Sequence, residues 1–323
     1  MRLVAVDIGG TNARFCLADV TDGTITLGEP VTLRTSDYVS LETAWEAFEA
    51  LADEPLPRTA AIAIAGPITG RVVRLTNNSW VFDTAALDTQ LGLDRVTLVN
   101  DFEAVAHAVA QAPASDFAYI TGPDIPLPAS GTISVVGPGT GLGVAHFHRS
   151  ASGTRVQATE GGHLDFAPVD AVDDAILARL RAVHRRVSTE RVNSGPGIAV
   201  IYAALCALEA RVPTLEGDRA IWKAALEGSD AMASAALARF CMTLGSVAGD
   251  IALAQGASAV VLAGGLGLRL RDHLQASAFA QRFAFKGRYE ALMVGLPVKL
   301  IIQSEPGLYG AVAAFLQQHG AAS

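Results

Sequence analysis

The sequence predicts a mixed α/β fold in two lobes, and three observations carry that expectation. Short apolar runs alternate with segments of helical spacing, a strand, glycine loop, strand unit occurs twice, and the chain is long and apolar enough for two cores. The 323 residues are 50% hydrophobic and only 17% charged. Such a chain buries substantial apolar surface and exceeds the usual size of a single core.

The elements follow in order. Residues 3–7 form an apolar run ending on Asp7, Gly9 and Gly10 supply a turn, and 15–20 form the answering run, a hairpin with an unusual loop. Residues 41–51 and 102–110 have helical spacing, whereas 59–65 and 95–99 read as buried strands. Residues 111–130, with Pro113, Pro123, Pro126 and Pro128, are expected to cross between lobes. The opening pattern then returns as strand 133–136, a loop with Gly137, Gly139, Gly141 and Gly143, and strand 144–147, which suggests an internal duplication. Helical spacing over 171–186, 198–209 and 231–255 makes the second lobe the more helical, followed by a strand at 259–262. A strand at 298–302 and a helix at 308–318 close the chain, the helix returning to the first lobe. The expected domains are 1–110 with 301–323, and 111–300.

Charge and composition exclude several classes. With 24 Lys and Arg against 32 Asp and Glu, a net charge of −8 has the wrong sign for nucleic-acid binding. Cys16, Cys206 and Cys241 are too widely spaced for a disulfide framework or a clustered zinc site. The opening apolar run meets Asp7 too early for a signal peptide, and the uncharged stretch 251–268 reads as a buried helix-to-strand passage rather than a membrane span. A cytoplasmic protein with no membrane partner is expected. The lysines are Lys223, Lys286 and Lys299, and none lies in a GxxxxGK[ST] loop, which removes the P-loop enzymes.

Candidate chemistry sits at the glycine loops and strand ends. Asp7, Ile8, Gly9, Gly10, Thr11 and Asn12 place a carboxylate at a strand end before a loop whose N–H groups can cradle phosphate. Asp7 is suited to hold Mg²⁺ through water, although Gly-Gly-Thr-Asn is also good turn chemistry. Gly137, Gly139, Thr140 and Gly141 form a second candidate phosphate loop. Leu142 stands where GxGxxG requires glycine, and the loop joins strand to strand, so a dinucleotide fold is not expected. Gly264 and Gly265 follow a strand and admit a flat adenine or a tight turn.

Asn100 and Asp101 follow an apolar strand and precede a helix. Asp101 can take a proton from an attacking hydroxyl that Asn100 orients, and both residues can equally cap the helix. Glu160, His163 and Glu190 offer paired acceptors to a polyol, whose missing hydroxyls would leave them unpaired. His163 also reads as a satisfied core histidine or, with Glu160, as a weak metal ligand, while His146 and His148 read as surface residues. A glycoside hydrolase using Glu160 and Glu190 would leave both glycine loops unexplained, and an ATP-binding polymer or sensor would make Asp101 expendable.

Taken together, DIGGTNARF, LTNNSW, LVNDFEAVAHAV, GPGTGLGVA, TEGGHLDFAP and ERVNSGPG occur in one order. This series resembles the bacterial glucokinase family of the hexokinase, actin and heat-shock ATPase superfamily, from Leu3 to the GLYGA segment. The resemblance implies two ribonuclease-H-like lobes around a central cleft and ATP-dependent phosphorylation of D-glucose at its 6-hydroxyl. It further implies Asp101 as general base, with Asn100, Glu160, His163 and Glu190 as glucose ligands. Phosphates would lie on Asp7 to Asn12 and Gly137 to Gly141, and adenosine by Gly264 and Gly265. ATP, Mg²⁺ and a homodimer are implied as well. The absence of cysteine between Cys16 and Cys206 separates the chain from the related zinc-bearing kinases and repressors.

Overall fold

A computed structural model describes residues 1–66, 68, 70–75 and 80–320. Two compact units are present, Met1–Ala112 with Val156–Ala158 and Gln303–Ser323, and Pro113–Arg155 with Thr159–Ile302.

In the first unit the chain runs β1 (Arg2–Ile8), β2 (Asn12–Thr21), β3 (Thr24–Leu27), β4 (Val31–Arg34), α1 (Leu41–Glu49), β5 (Thr59–Ile64), β6 (Val72–Arg74), β7 (Val81–Asp83), α2 (Leu87–Leu91), β8 (Arg95–Asn100) and α3 (Asp101–Gln111). The chain continues with β9 (Phe117–Thr121), β10 (Gly131–Pro138), β11 (Leu142–Ser150), β12 (Gly153–Thr159), α4 (Ala171–Arg181), α5 (Gly197–Leu208), α6 (Asp218–Glu227), α7 (Ala231–Gln255), β13 (Ala257–Leu262), α8 (Gly264–Arg269), α9 (Arg271–Ala276), α10 (Phe279–Ala284), α11 (Glu290–Val294) and β14 (Val298–Ile301), all in the second unit except Val156–Ala158 of β12. Helix α12 (Pro306–His319) belongs to the first unit.

The first sheet has the order β3-β2-β1-β5-β8, with β4 also on β2. Strand β1 is antiparallel to β2 and parallel to β5, which is parallel to β8. Both faces of β1 are covered, which explains its continuous apolar run. Val4, Val6 and Ile8 join α1 residues Leu41, Trp45 and Phe48 in one core, while Leu3 and Ala5 join Leu308, Val312 and Phe315 of α12 in another. Helix α1 begins at a capping box in which Ser40 and Thr43 exchange hydrogen bonds.

The second sheet, β12-β11-β10-β13-β14-β9, repeats the central pattern. Strand β10 is antiparallel to β11 and parallel to β13, which is parallel to β14. Helix α7 is long and apolar enough to cross a bilayer by length and composition, yet Leu237, Phe240, Leu244 and Val247 lie in the core of this unit. A buried ionic cluster ties α4 to α7 and α10: Arg239 reaches Asp170 and Asp173 at 2.7 and 3.1 Å, and Arg282 pairs with Asp173. Two expected surface histidines differ, because His148 is exposed beside Thr132 whereas His146 is half-buried with Nδ1 enclosed.

Candidate functional site

The parallel strands β1, β5 and β8 end together in the first unit, with Ile8, Ile64 and Asn100 in register. Ligands of open α/β sheets bind beyond such carboxyl ends, and the expected site residues of this unit gather there.

Asp7 lies one residue before the end of β1, opposite Arg14 on β2. Its Oδ2 is 3.7 Å from Arg14 Nη1, and Arg14 Nε is 3.6 Å from Glu305 Oε2, so one guanidinium serves both carboxylates. The first turn of α12 presses on the same group: a methyl at Gly307 would stand 2.5 Å from Asp7 Oδ2. Burial pushes the Asp7 carboxyl up to about 6, with Arg14 pulling it down and Glu305 pushing it up.

The loop after β1 is closed by Gly9 N–H on Asn12 O at 2.9 Å and held from outside by Thr35. Thr35 Oγ1 donates to Gly10 O at 3.0 Å, and its N–H donates to Thr11 O at 3.0 Å. Thr35 is itself buried.

Asn100 is the N-cap of α3: its Oδ1 accepts from Phe102 N–H and Glu103 N–H at 2.9 and 3.1 Å. Its Nδ2 donates to Gly66 O at 3.0 Å, which joins the end of β8 to the end of β5. Asp101 Oδ1 also accepts from Phe102 N–H, at 2.9 Å. Burial first, and repulsion from Asp7 second, raise the Asp101 carboxyl to about 6, while the Phe102 and Asn100 hydrogen bonds oppose the rise. The first unit thus holds two mutually repelling carboxylates at the end of its sheet.

In the second unit the loop between β10 and β11 is Gly139, Thr140 and Gly141, closed by Gly139 N–H on Gly141 O at 2.8 Å, whereas Gly137, expected in the loop, lies in β10 opposite Gly143 because the strand pairing continues to Pro138 and Leu142. Ala263 N–H donates to Val136 O at 2.9 Å, and the left-handed Gly264 (φ +85°) begins α8 beside Pro138, with Gly265 next. Residues 188–197 grip the loop at two points. Leu142 N–H donates to Glu190 Oε2 at 2.9 Å, and Gly195 N–H donates to Gly139 O at 2.7 Å.

The Glu160 to His163 turn is tied to the same segment through Thr189, whose Oγ1 donates to Gly162 O at 2.7 Å and whose N–H donates to Leu164 O at 2.8 Å. Glu160 and His163 are more than half exposed, their side chains 3.9 Å apart. Glu160, His163, Glu190, the glycine loop and Gly264–Gly265 are therefore linked within one unit. Of the LTNNSW segment, Thr76 to Ser79 lie outside the described residues, and Leu75 and Trp80 are buried.

Among the described residues no group of three or more His, Cys, Asp or Glu side chains suits a metal ion. Asp7, raised by burial and Glu305, and Asp101, raised by burial and Asp7, nevertheless fit Mg²⁺, which keeps most of its waters and needs one or two carboxylates beside substrate phosphates. Arg14, Thr35, Thr189 and Glu305 were not singled out from the sequence. Arg14 stood within DIGGTNAR as a signal, whereas the other three act across long chain separations.

Comparison with known proteins points to one family. The family model described as Glucokinase matches residues 3–319. A curated glucokinase from Zymomonas mobilis is 53% identical over 320 residues, covering 99% of each chain. One from Psychromonas ingrahamii is 39% identical, covering 97% of this chain and 96% of its own. A crystal structure of glucokinase from an Antarctic psychrotroph superposes with a TM-score of 0.85 at 34% identity, covering 98% and 99% of the two chains. By sequence and by its actin- and hexokinase-like fold, the chain belongs to the glucokinase family.

Proposed function

We propose that this protein transfers the γ-phosphoryl group of ATP to the 6-hydroxyl of D-glucose, giving D-glucose 6-phosphate, an entry compound of glycolysis, and ADP. The observation that carries the chemistry is the Asp101 carboxylate at the end of β8, raised to about 6 and fixed in orientation by Phe102 N–H. A base of that affinity is ionised at neutral pH yet far more basic than a free carboxylate, which suits proton transfer from an alcohol in the transition state.

Asn100, Glu160, His163 and Glu190 bind the sugar, and Asn100 does so with an amide already fixed by the α3 cap. In the segments Gly9 to Asn12 and Gly137 to Gly141, backbone N–H groups other than those of Gly9 and Gly139, which close the loops, hold phosphates, and Gly264 with Gly265 admits the adenosine. Asp7 holds Mg²⁺ through water; when bound, the ion neutralises charge on the phosphates. Positioning and charge neutralisation account for most of the rate, because phosphoryl transfer asks little covalent chemistry of the protein. The same reading extends to a cytoplasmic homodimer, whose stoichiometry sedimentation velocity tests.

The decisive experiment is Mg²⁺-dependent ADP release with glucose, mannose, fructose, glucosamine or no sugar, with the product identified as the 6-phosphate. Glucose-selective turnover is expected. Absence of sugar-stimulated turnover by folded protein, with ATP and with polyphosphate or ADP as donor, refutes the proposal.

A further inference from the structure

The second glycine loop has few side chains with which to fix its own shape, and the structure shows what holds it. Residues 188–197 are anchored away from the loop: Trp222 Nε1 of α6 donates to Gly195 O at 2.8 Å, and the buried Asn193 Nδ2 donates to Thr243 Oγ1 of α7 at 2.9 Å. From that platform Glu190 reaches the loop and accepts Leu142 N–H at 2.9 Å. Gly141 does not lie in the left-handed region, so its backbone tolerates a side chain, yet a methyl there would collide with Glu190 Oε2. A side chain at position 141 and the Glu190 carboxylate in its present place therefore exclude one another.

We propose that Glu190 is a positioning residue for the loop as well as a sugar ligand, and that its carboxylate couples sugar binding to nucleotide binding. The proposal rests on reading Glu190 as a glucose ligand. A carboxylate offers about four lone-pair positions, so Oε2 can keep Leu142 N–H while the group accepts sugar hydroxyls. A sugar on that carboxylate restricts its rotamers and steadies the Leu142 hydrogen bond, so the loop meets ATP already ordered. Linkage makes the effect reciprocal: glucose tightens nucleotide, and nucleotide tightens glucose by the same factor.

Calorimetric titration with glucose and with the Mg²⁺ complex of a non-hydrolysable ATP analogue, each alone and with the other saturating, tests this. In wild type the mutual tightening is expected to be about fivefold or more, and glucose alone slows amide exchange in the 137–144 segment. Gly141→Ala displaces the carboxylate without removing a sugar ligand; it is expected to weaken glucose and to bring the coupling factor to about one. Glu190→Gln keeps an acceptor for Leu142 N–H but turns an amide toward the sugar. It is expected to retain loop protection in the free protein and to lose the glucose-dependent part, so the test survives if the alanine variant does not fold. Wild type that binds no glucose overturns the functional reading and this proposal with it. Binding of both ligands without mutual effect, or coupling that persists in every folded variant, overturns this proposal alone.

Discussion

Replacing Asp101 with Asn is expected to make the protein more stable and nearly inactive at once, and the gain in stability has a signature in pH. The Asp101 carboxyl rises from 3.8 to about 6 in the folded protein. A carboxyl raised in this way holds its proton more tightly when native, so folding stability falls as pH rises between these values, and the loss is complete above the higher one. Two units at about 1.4 kcal/mol each set an upper bound of about 3 kcal/mol. Part of that is repulsion from Asp7, which itself takes up a proton near 6. Because the side chain is also partly exposed, roughly half, about 1–2 kcal/mol, is the expected gain at pH 8. Asn retains an acceptor for Phe102 N–H, so the start of α3 is preserved. Calorimetry should therefore find the variant melting about 1.5–3 °C higher at pH 8, a gain that shrinks at pH 5 and vanishes near pH 4. Turnover should fall about 10²- to 10⁴-fold while glucose and ADP still bind. Equal gains at pH 5 and pH 8 would refute the buried-carboxylate argument, and unchanged turnover would refute the assignment of the base.

Other outcomes follow from the same geometry. For wild type, kcat/KM should drop about tenfold per unit below pH 6, with the apparent value belonging to the Asp7 and Asp101 pair jointly, as a pH–rate profile will show. Asp7→Asn should raise the Mg²⁺ concentration for half-maximal rate about tenfold, and chelation of the ion should abolish wild-type turnover. Thr35→Val removes the hydroxyl held on Gly10 O; KM for ATP should rise more than kcat falls, with about 1 kcal/mol lost from denaturant stability. A methyl at Gly310 of α12 would overlap Ala104 O of α3. Gly310→Ala should therefore force the two helices apart and cost about 1–3 kcal/mol by the same denaturation assay.

Much of the fold was legible because its signals are local. The 59–65 and 95–99 runs became β5 and β8, 231–255 became α7, and 308–318 became the inner part of α12, since apolar periodicity and glycine stops act within a few residues. Elements with weaker patterns were missed. Strands β6 and β7 are three residues each and pair only with one another. Helices α8 to α11 are five or six residues long, too short to establish a helical period. At Asn100 both expectations had been open, and the structure makes the cap plain: every atom of the amide that can bond is engaged at the ends of β5 and β8. A sugar contact there uses the second N–H of a nitrogen already fixed in place by Gly66 O, which makes the cap a means of positioning rather than an alternative to it.

The two glycine loops explain why the rest of the site was hidden. Each is recognisable from its glycines, and each is short of side chains that could set its own conformation. Its shape must come from groups elsewhere in the chain. For the first loop the holder is Thr35, whose hydroxyl and amide take the carbonyls of Gly10 and Thr11. For the second it is Glu190 and Gly195, which take an amide and a carbonyl from Leu142 and Gly139. The duplicated units therefore share a strand-loop-strand plan but not the means of fixing it: one loop is held by a neutral hydroxyl, the other by a carboxylate. Glycine spacing announces the loops, whereas nothing local announces their holders. Because only the second holder is an anion that reads as a sugar ligand, occupancy by sugar can act on the second loop through a direct bond, with no such route through Thr35.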